Sequence, residues 1–361
     1  MPFTIANQCG GPLDPTRTSR FTVFSYIFDW IVIVALAAVG GILYMITGNQ
    51  HAFSLDDPAI SYPLRSDTFS ITMVGILAFA VPAATIMLLS LTIPTSTILA
   101  TRASSSSQTP WKRRLWEWHT GWLGLSLSLA GAFFVVSGLK DIVGKPRPDF
   151  LARCDPDLAN ISAHLAGGGG LHRTGAPILV YPSICQNQDT AVVKDGFAAF
   201  PSGHSSFAWA GLLYLSLWLA AKFAIVPPAW SHGTFTSQNS HQAPGHAGPR
   251  ASVRPAAPPL YLLFLTSTPV CLALCISATR YSDYMHAGWD ITSASLIGIF
   301  FACLGFRWYH VLAAGDGQSS GWAFAARSGM HAFWMPYGSR GYTEGVDSSG
   351  YEDLEMGPVR G

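Results

Sequence analysis

Six stretches of mainly apolar residues, at about 21–46, 70–98, 119–139, 204–227, 259–279 and 287–312, recur along this 361-residue chain. Each approaches or exceeds the roughly 20 helical residues that cross the hydrocarbon layer of a bilayer. Within that layer a segment must satisfy its own backbone hydrogen bonds, and an isolated apolar run of this length does so as a helix. Composition agrees, because 49% of residues are hydrophobic and only 11% charged, where soluble chains carry about a quarter. The expected fold is all-α, a six-transmembrane-helix bundle. A net charge of +1, without a basic run interleaved with aromatics, argues against a nucleic-acid partner.

The first twenty residues are polar and broken by Pro2, Pro12 and Pro15, unlike a cleaved signal peptide. The chain therefore divides into a cytosolic segment 1–20, a six-span core 21–312 and a tail 313–361. Pro82 and Pro94 predict a kink or an early end in the second span. Six spans put both termini on one side. With that side cytosolic, most of the 21 lysines and arginines, including Arg102 and the Lys112, Arg113, Arg114 cluster, lie inside, as the positive-inside rule requires. Residues 228–258, rich in Ser, His, Pro and Gly, read as a flexible cytosolic linker, and the Gly-rich, acidic tail reads as disordered. Asp29, near the cytosolic end of the first span, reads as an interfacial residue that faces water or a neighbouring helix.

The connection 140–203 is the long exoplasmic one, and loops of such length are usually functional or disordered. Its Cys154 and Cys185 fit a disulfide in an oxidising lumen or two free thiols. Asn160, Ile161 and Ser162 form a glycosylation sequon, weak support for the same side.

Three polar clusters interrupt the apolar pattern. At the exoplasmic end of the third span stands KDIVGKPRP, residues 140–148, whose cations would on their own read as snorkelling anchors. Where the loop enters the fourth span stands FPSGHSS, residues 200–206. Ser and Pro suit a helix start, yet uncapped helix amides also bind anions, and His204 beside them titrates near neutrality. Between the fifth and sixth spans stands RYSDYMHAGWD, residues 280–290. There His286 and Asp290 are four apart, so on a helix the carboxylate would orient the imidazole, or the pair would only staple a turn.

The predicted crossings put all three clusters on one side of the membrane. Phosphoryl transfer needs charge stabilised on three equatorial oxygens, with attacking and leaving atoms in line. Lys140, Arg147 and Arg280 supply cations, and Ser202 with the Gly203 amide adds neutral donors. His286, oriented by Asp290, is the expected nucleophile, and His204 the acid for the leaving alkoxide and later the base for water. No metal-ligand spacing accompanies them, so no metal and no cofactor is expected.

These residues resemble the signature of type 2 phosphatidic acid phosphatases: Lys, six residues, Arg-Pro; Pro-Ser-Gly-His; Arg, five residues, His, three residues, Asp. The flanking RPDFLARC and FPSGHSS segments, and SYIFDW in the first span, look like lipid phosphate and diacylglycerol pyrophosphate phosphatases of fungi. The resemblance covers about residues 20–312. It implies six spans, a lumenal or extracellular site in a vacuolar, Golgi, ER or plasma membrane, and hydrolysis of phosphatidate, lysophosphatidate and diacylglycerol pyrophosphate through a phosphohistidine. Thr279 stands where the family usually has Ser, and Met285 and Ala287 where relatives often have a basic residue and a second His. The same site also suits long-chain-base or polyprenyl phosphates, or transfer to an alcohol. An inactive scaffold is the reading from another class, opposed by the presence of both histidines and all three cations. The partners expected are a lipid phosphate and the bilayer; the sequence does not fix an oligomeric state.

Overall fold

The computed structural model describes residues 20–93, 110–166, 178–223, 225, 259–313 and 321–324. The linker 228–258, most of the tail and all but the last residue of segment 1–20 lie outside the described residues. Helix α1 (Arg20–Met45) is followed by a short strand β1 (Phe53–Ser54) and by α2 (Ile71–Thr92). Helix α3 (Pro110–Val143) leads into an extramembrane cap holding α4 (Phe150–Cys154), β2 (Leu179–Val180) and α5 (Thr190–Gly196). Helix α6 covers residues 203–222, and α7 (Leu260–Ser282) and α8 (Gly288–Tyr309) complete the bundle.

Five helices, α1, α2, α3, α7 and α8, are long and apolar enough to cross a membrane among the described residues. The expected fourth span, α6, is helical throughout but carries His204 and two serines at one end, Lys222 at the other, and a π turn at Trp209–Leu213. Its polarity follows from its position: Tyr214, Leu215, Trp218 and Leu219 are buried in the main core with residues of α2, α3 and α8. The outer faces of α1, α2, α7 and α8 expose Phe24, Ile31, Phe79, Phe264 and Phe300, an apolar surface suited to lipid rather than water. The chain is a multi-pass helical membrane protein.

Helix α2 runs through Pro82 directly after a π turn at Ile76–Ala80, which spares the helix the carbonyl that proline would strike. It stops at Thr92, with Ile93 extended ahead of Pro94. The two π turns face each other. Gly211 in α6 lies so close to the Ala78 carbonyl of α2 that no Cβ would fit between them. Such backbone approach through small residues is how membrane helices gain dispersion contact, since lipid gives apolar side chains no reason to leave it. At the bundle's other end, buried Lys222 meets Glu117 at 2.6 Å and the Ile93 carbonyl at 3.0 Å. Asp29 accepts from the Tyr309 hydroxyl at 2.8 Å, so it faces a neighbouring helix.

The cap has its own core of Phe53, Ile60, Phe150, Val180, Ile184 and Phe197, and β1 pairs antiparallel with β2. Cys154 and Cys185 form a disulfide within it. Past α8, His310–Ala313 pairs with Gly321–Phe324, so the tail begins with a β ribbon rather than the featureless chain expected.

Gly211→Ala should cost about 1–3 kcal/mol by overpacking. Gly41→Ala, where a Cβ meets nothing within 4 Å, should cost nothing measurable. Thermal unfolding in detergent would check this, and equal midpoints for the two variants would show that the α2–α6 contact does not hold the bundle.

Candidate active site

Three chain reversals at one end of the bundle bring the polar clusters together. Helix α3 ends because Gly144 adopts φ +53, a left-handed conformation that costs glycine little. A side chain there would run into the Asn49 carbonyl. Lys140 is thereby left on the last turn of α3 while residues 145–149 fold back over the bundle. Arg147, 6% exposed, donates Nε to the Asp195 carbonyl at 2.8 Å and Nη2 to the Asp195 carboxylate at 2.7 Å. Burial lowers the Arg147 pKa and the Asp195 charge raises it; burial alone would raise the Asp195 pKa, but Arg147, Lys140 and Arg153 hold it below the usual carboxylate value.

The second reversal begins at the cis Phe200–Pro201 bond and enters α6 at Gly203. Ser202 is buried and makes no side-chain cap bond, so the first-turn amides keep their donors. The Lys140 ammonium lies 3.7 Å from where a side chain on Gly203 would start. His204 Nε2 is buried with no hydrogen-bond partner. Burial, with the charges of Arg280, Arg147 and Lys140 and against the pull of Asp67, pushes the His204 pKa down to about 4, so the ring does not titrate near neutrality as the sequence suggested and is neutral until an anion joins it.

The third reversal joins α7 to α8. Arg280, at the end of α7, is 1% exposed, and its Nε is buried without a partner. His286 is 2% exposed, with Nδ1 2.7 Å from the Ala199 carbonyl. A carbonyl can only accept, so Nδ1 bears the proton and Nε2 presents its lone pair. Burial, with the charges of Arg147, Lys140 and Arg280, holds the imidazole pKa well below its ordinary value, against the weaker pull of the Ala199 carbonyl. The ring is therefore neutral near pH 7.

One expected contact is absent. Asp290 does not bond His286: its Oδ1 takes the Lys145 ammonium at 2.7 Å and its Oδ2 the Ala287 amide at 3.0 Å. The expected pairing assumed one helix face for both residues, but α8 begins only at Gly288, after His286. Asp290 instead ties the clusters together, since its backbone carbonyl also accepts from the Ser202 amide at 3.1 Å. The orienting group for His286 is the Ala199 carbonyl.

Several contributors escaped the sequence reading. Asp195 bridges Arg147 and Arg153, and the Met285 sulfur accepts from Arg153 at 3.1 Å and from Arg147 at 3.7 Å. Asp67 accepts from Arg280 Nη1 at 2.9 Å. No local pattern marks these carboxylates; the one available signal was RPDFLARC, whose second arginine, Arg153, also pairs with Asp149 at 2.8 Å. A cavity of about 210 Å³ opens beside Lys140 and Asp195, walled by Tyr44, Asn49 and Lys194. Among the described residues no cluster of three or more His, Cys, Asp or Glu is arranged to hold a metal.

The profile of the PAP2 superfamily matches residues 121–313, a span that contains all three clusters. A PA-phosphatase related-family protein of Dictyostelium discoideum is 29% identical over 86% of this chain and 76% of its own length. Lipid phosphate phosphatase 2 of Arabidopsis thaliana is 26% identical over 77% of this chain and 74% of its own. Diacylglycerol pyrophosphate phosphatase 1 of Saccharomyces cerevisiae is 25% identical over 72% and 70%. No solved structure matches the chain. With the family profile covering more than half of its length, the chain belongs to the PAP2 superfamily.

Proposed function

We propose that this protein hydrolyses lipid phosphates, among them phosphatidate, lysophosphatidate and diacylglycerol pyrophosphate, through a phosphohistidine intermediate. The observation that carries this reading is the meeting of two histidines, His286 buried and His204 half-buried with its Nε2 enclosed, and three cations from distant clusters, in a chain of this family. Lys140, Arg147 and Arg280, with Ser202 and the amides at Gly203, bind the phosphoryl oxygens. Neutral His286 attacks phosphorus through Nε2 as the bond to the lipid oxygen breaks, and its proton stays on Nδ1, donated to the Ala199 carbonyl. The negative charge of the bound phosphate offsets the cations that keep His204 neutral, so His204 takes up a proton with the substrate and gives it to the departing alkoxide, which leaves as diacylglycerol when the substrate is phosphatidate. It then takes a proton from water, which attacks phosphorus, breaks the P–N bond and returns His286 to its neutral form with release of orthophosphate. Asp290 acts as a brace rather than as the partner of His286, and no metal enters the scheme.

The site faces the lumen or the exterior in this reading. The distribution of basic residues favours it, and so does a cap that carries the Cys154–Cys185 disulfide and an exposed Asn160. Two relatives' names, PA-phosphatase related and diacylglycerol pyrophosphate phosphatase, support phosphatidate and its pyrophosphate as substrates.

Phosphate release from phosphatidate by detergent-purified protein should persist in excess EDTA. It should fall at least about a hundredfold in His286→Ala and in His204→Ala, the scale of losing a nucleophile or an acid. Loss of activity in EDTA would contradict the metal-free scheme, and an active His286→Ala would remove the nucleophile. Protonation inactivates the His286 nucleophile, and the proton binds only well below pH 6.5. Corrected for substrate ionisation, kcat/KM should therefore show no acid limb belonging to this residue near 6.5. An acid limb near 6.5 would show the imidazole to be unperturbed.

A further inference from the structure

The connection from α1 to α2 holds none of the three clusters and lies outside the segment matched by the family profile, yet residues 62–68 cross the site as a strap. The Tyr62 amide donates to the Pro148 carbonyl at 2.9 Å, next to Arg147. The Tyr62 ring stacks on Tyr284 at 4.8 Å, and the Arg65 guanidinium lies 5.0 Å over the same ring. Tyr284 has φ +58, a conformation costly for a bulky residue, so these contacts hold a strained turn two residues before His286. Thr68 donates its amide and hydroxyl to the Asp283 carboxylate at 2.9 and 2.8 Å. Both ends of the strap are thus anchored to the clusters.

What the strap delivers is Asp67. Its Oδ1 takes Nη1 of the buried Arg280, while Asp283, already engaged by Thr68, stands 3.9 Å from that guanidinium. Asp67 makes one bond to Arg280 and keeps 35% of its side chain exposed, so it pairs with the buried guanidinium from a solvent-facing position. Any phosphate held by Arg280 meets this negative charge.

We propose that Asp67 is a positioning residue that holds Arg280 before phosphate binds and competes with bound phosphate for it, which sets how readily orthophosphate product is released. The inference rests on the lipid phosphate phosphatase reading, and its test has a readout independent of turnover. Orthophosphate that binds the folded protein raises its unfolding temperature, and the concentration dependence gives the affinity. In Asp67→Asn, nearly the same shape without the charge, the half-maximal orthophosphate concentration should fall at least about fivefold. Asp67→Glu should remain within about twofold of the parent protein, as expected if charge is what matters. An unchanged or weakened orthophosphate response in Asp67→Asn would overturn the proposal. So would an Asp67→Asn protein that no longer folds, because Asp67 would then be a structural counterion. Phosphate release from phosphatidate is assayed separately on the parent protein, so that its absence there identifies failure of the phosphatase reading itself.

Discussion

Three cations gathered at one end of a largely apolar bundle are the constraint that the rest of the site answers to. Removing such charges from water costs several kcal/mol each unless partners are in place. Arg147 is met by Asp195 and Arg280 by Asp67, whereas Lys140 has no carboxylate within ion-pair distance among the described residues. The site's own groups therefore carry positive charge in excess of the paired carboxylates, beside the uncapped amides at Gly203. The same field keeps His286 neutral, so the arrangement that attracts an anion also keeps an imidazole lone pair available.

Packing holds that charge in place. Gly144 turns the chain back over α3, the close approach of Gly211 to Ala78 seats α6 against α2, and Asp290 joins Lys145, Ala287 and Ser202 from three separate segments. Asp290 is fully buried, and each of its contacts ends on a different reversal. The cap, with its own apolar core and the Cys154–Cys185 disulfide, backs the segment that delivers Asp195 and Ala199.

Much of this was legible in the sequence, and the failures have physical causes. Uniform apolar runs marked α1, α2, α3, α7 and α8, because helices facing lipid have little other option. Helix α6 is a weaker match to that pattern since it faces protein rather than lipid. Short polar motifs identified Lys140, Arg147, His204, Arg280 and His286, and the alternation of crossings put them on one side. The orienting group for His286 was not legible, because a backbone carbonyl leaves no trace in residue identity. Asp67 and Asp195 were missed because a loop and a short cap helix bring them in from outside the three clusters. Reading Asp290 as the partner of His286 failed because helical spacing was applied across a helix start.

The central claim is that phosphorus passes through a covalent bond to His286, and the stereochemical course at phosphorus tests it most directly. The measurement uses an isotopically chiral thiophosphate ester of diacylglycerol, hydrolysed in isotopically defined water, with the configuration of the released thiophosphate determined. Each in-line displacement inverts the centre, so transfer to His286 and then to water predicts overall retention. Inversion would mean that water attacks the lipid phosphate in a single step, and His286 would then be a phosphate ligand or a base rather than the nucleophile.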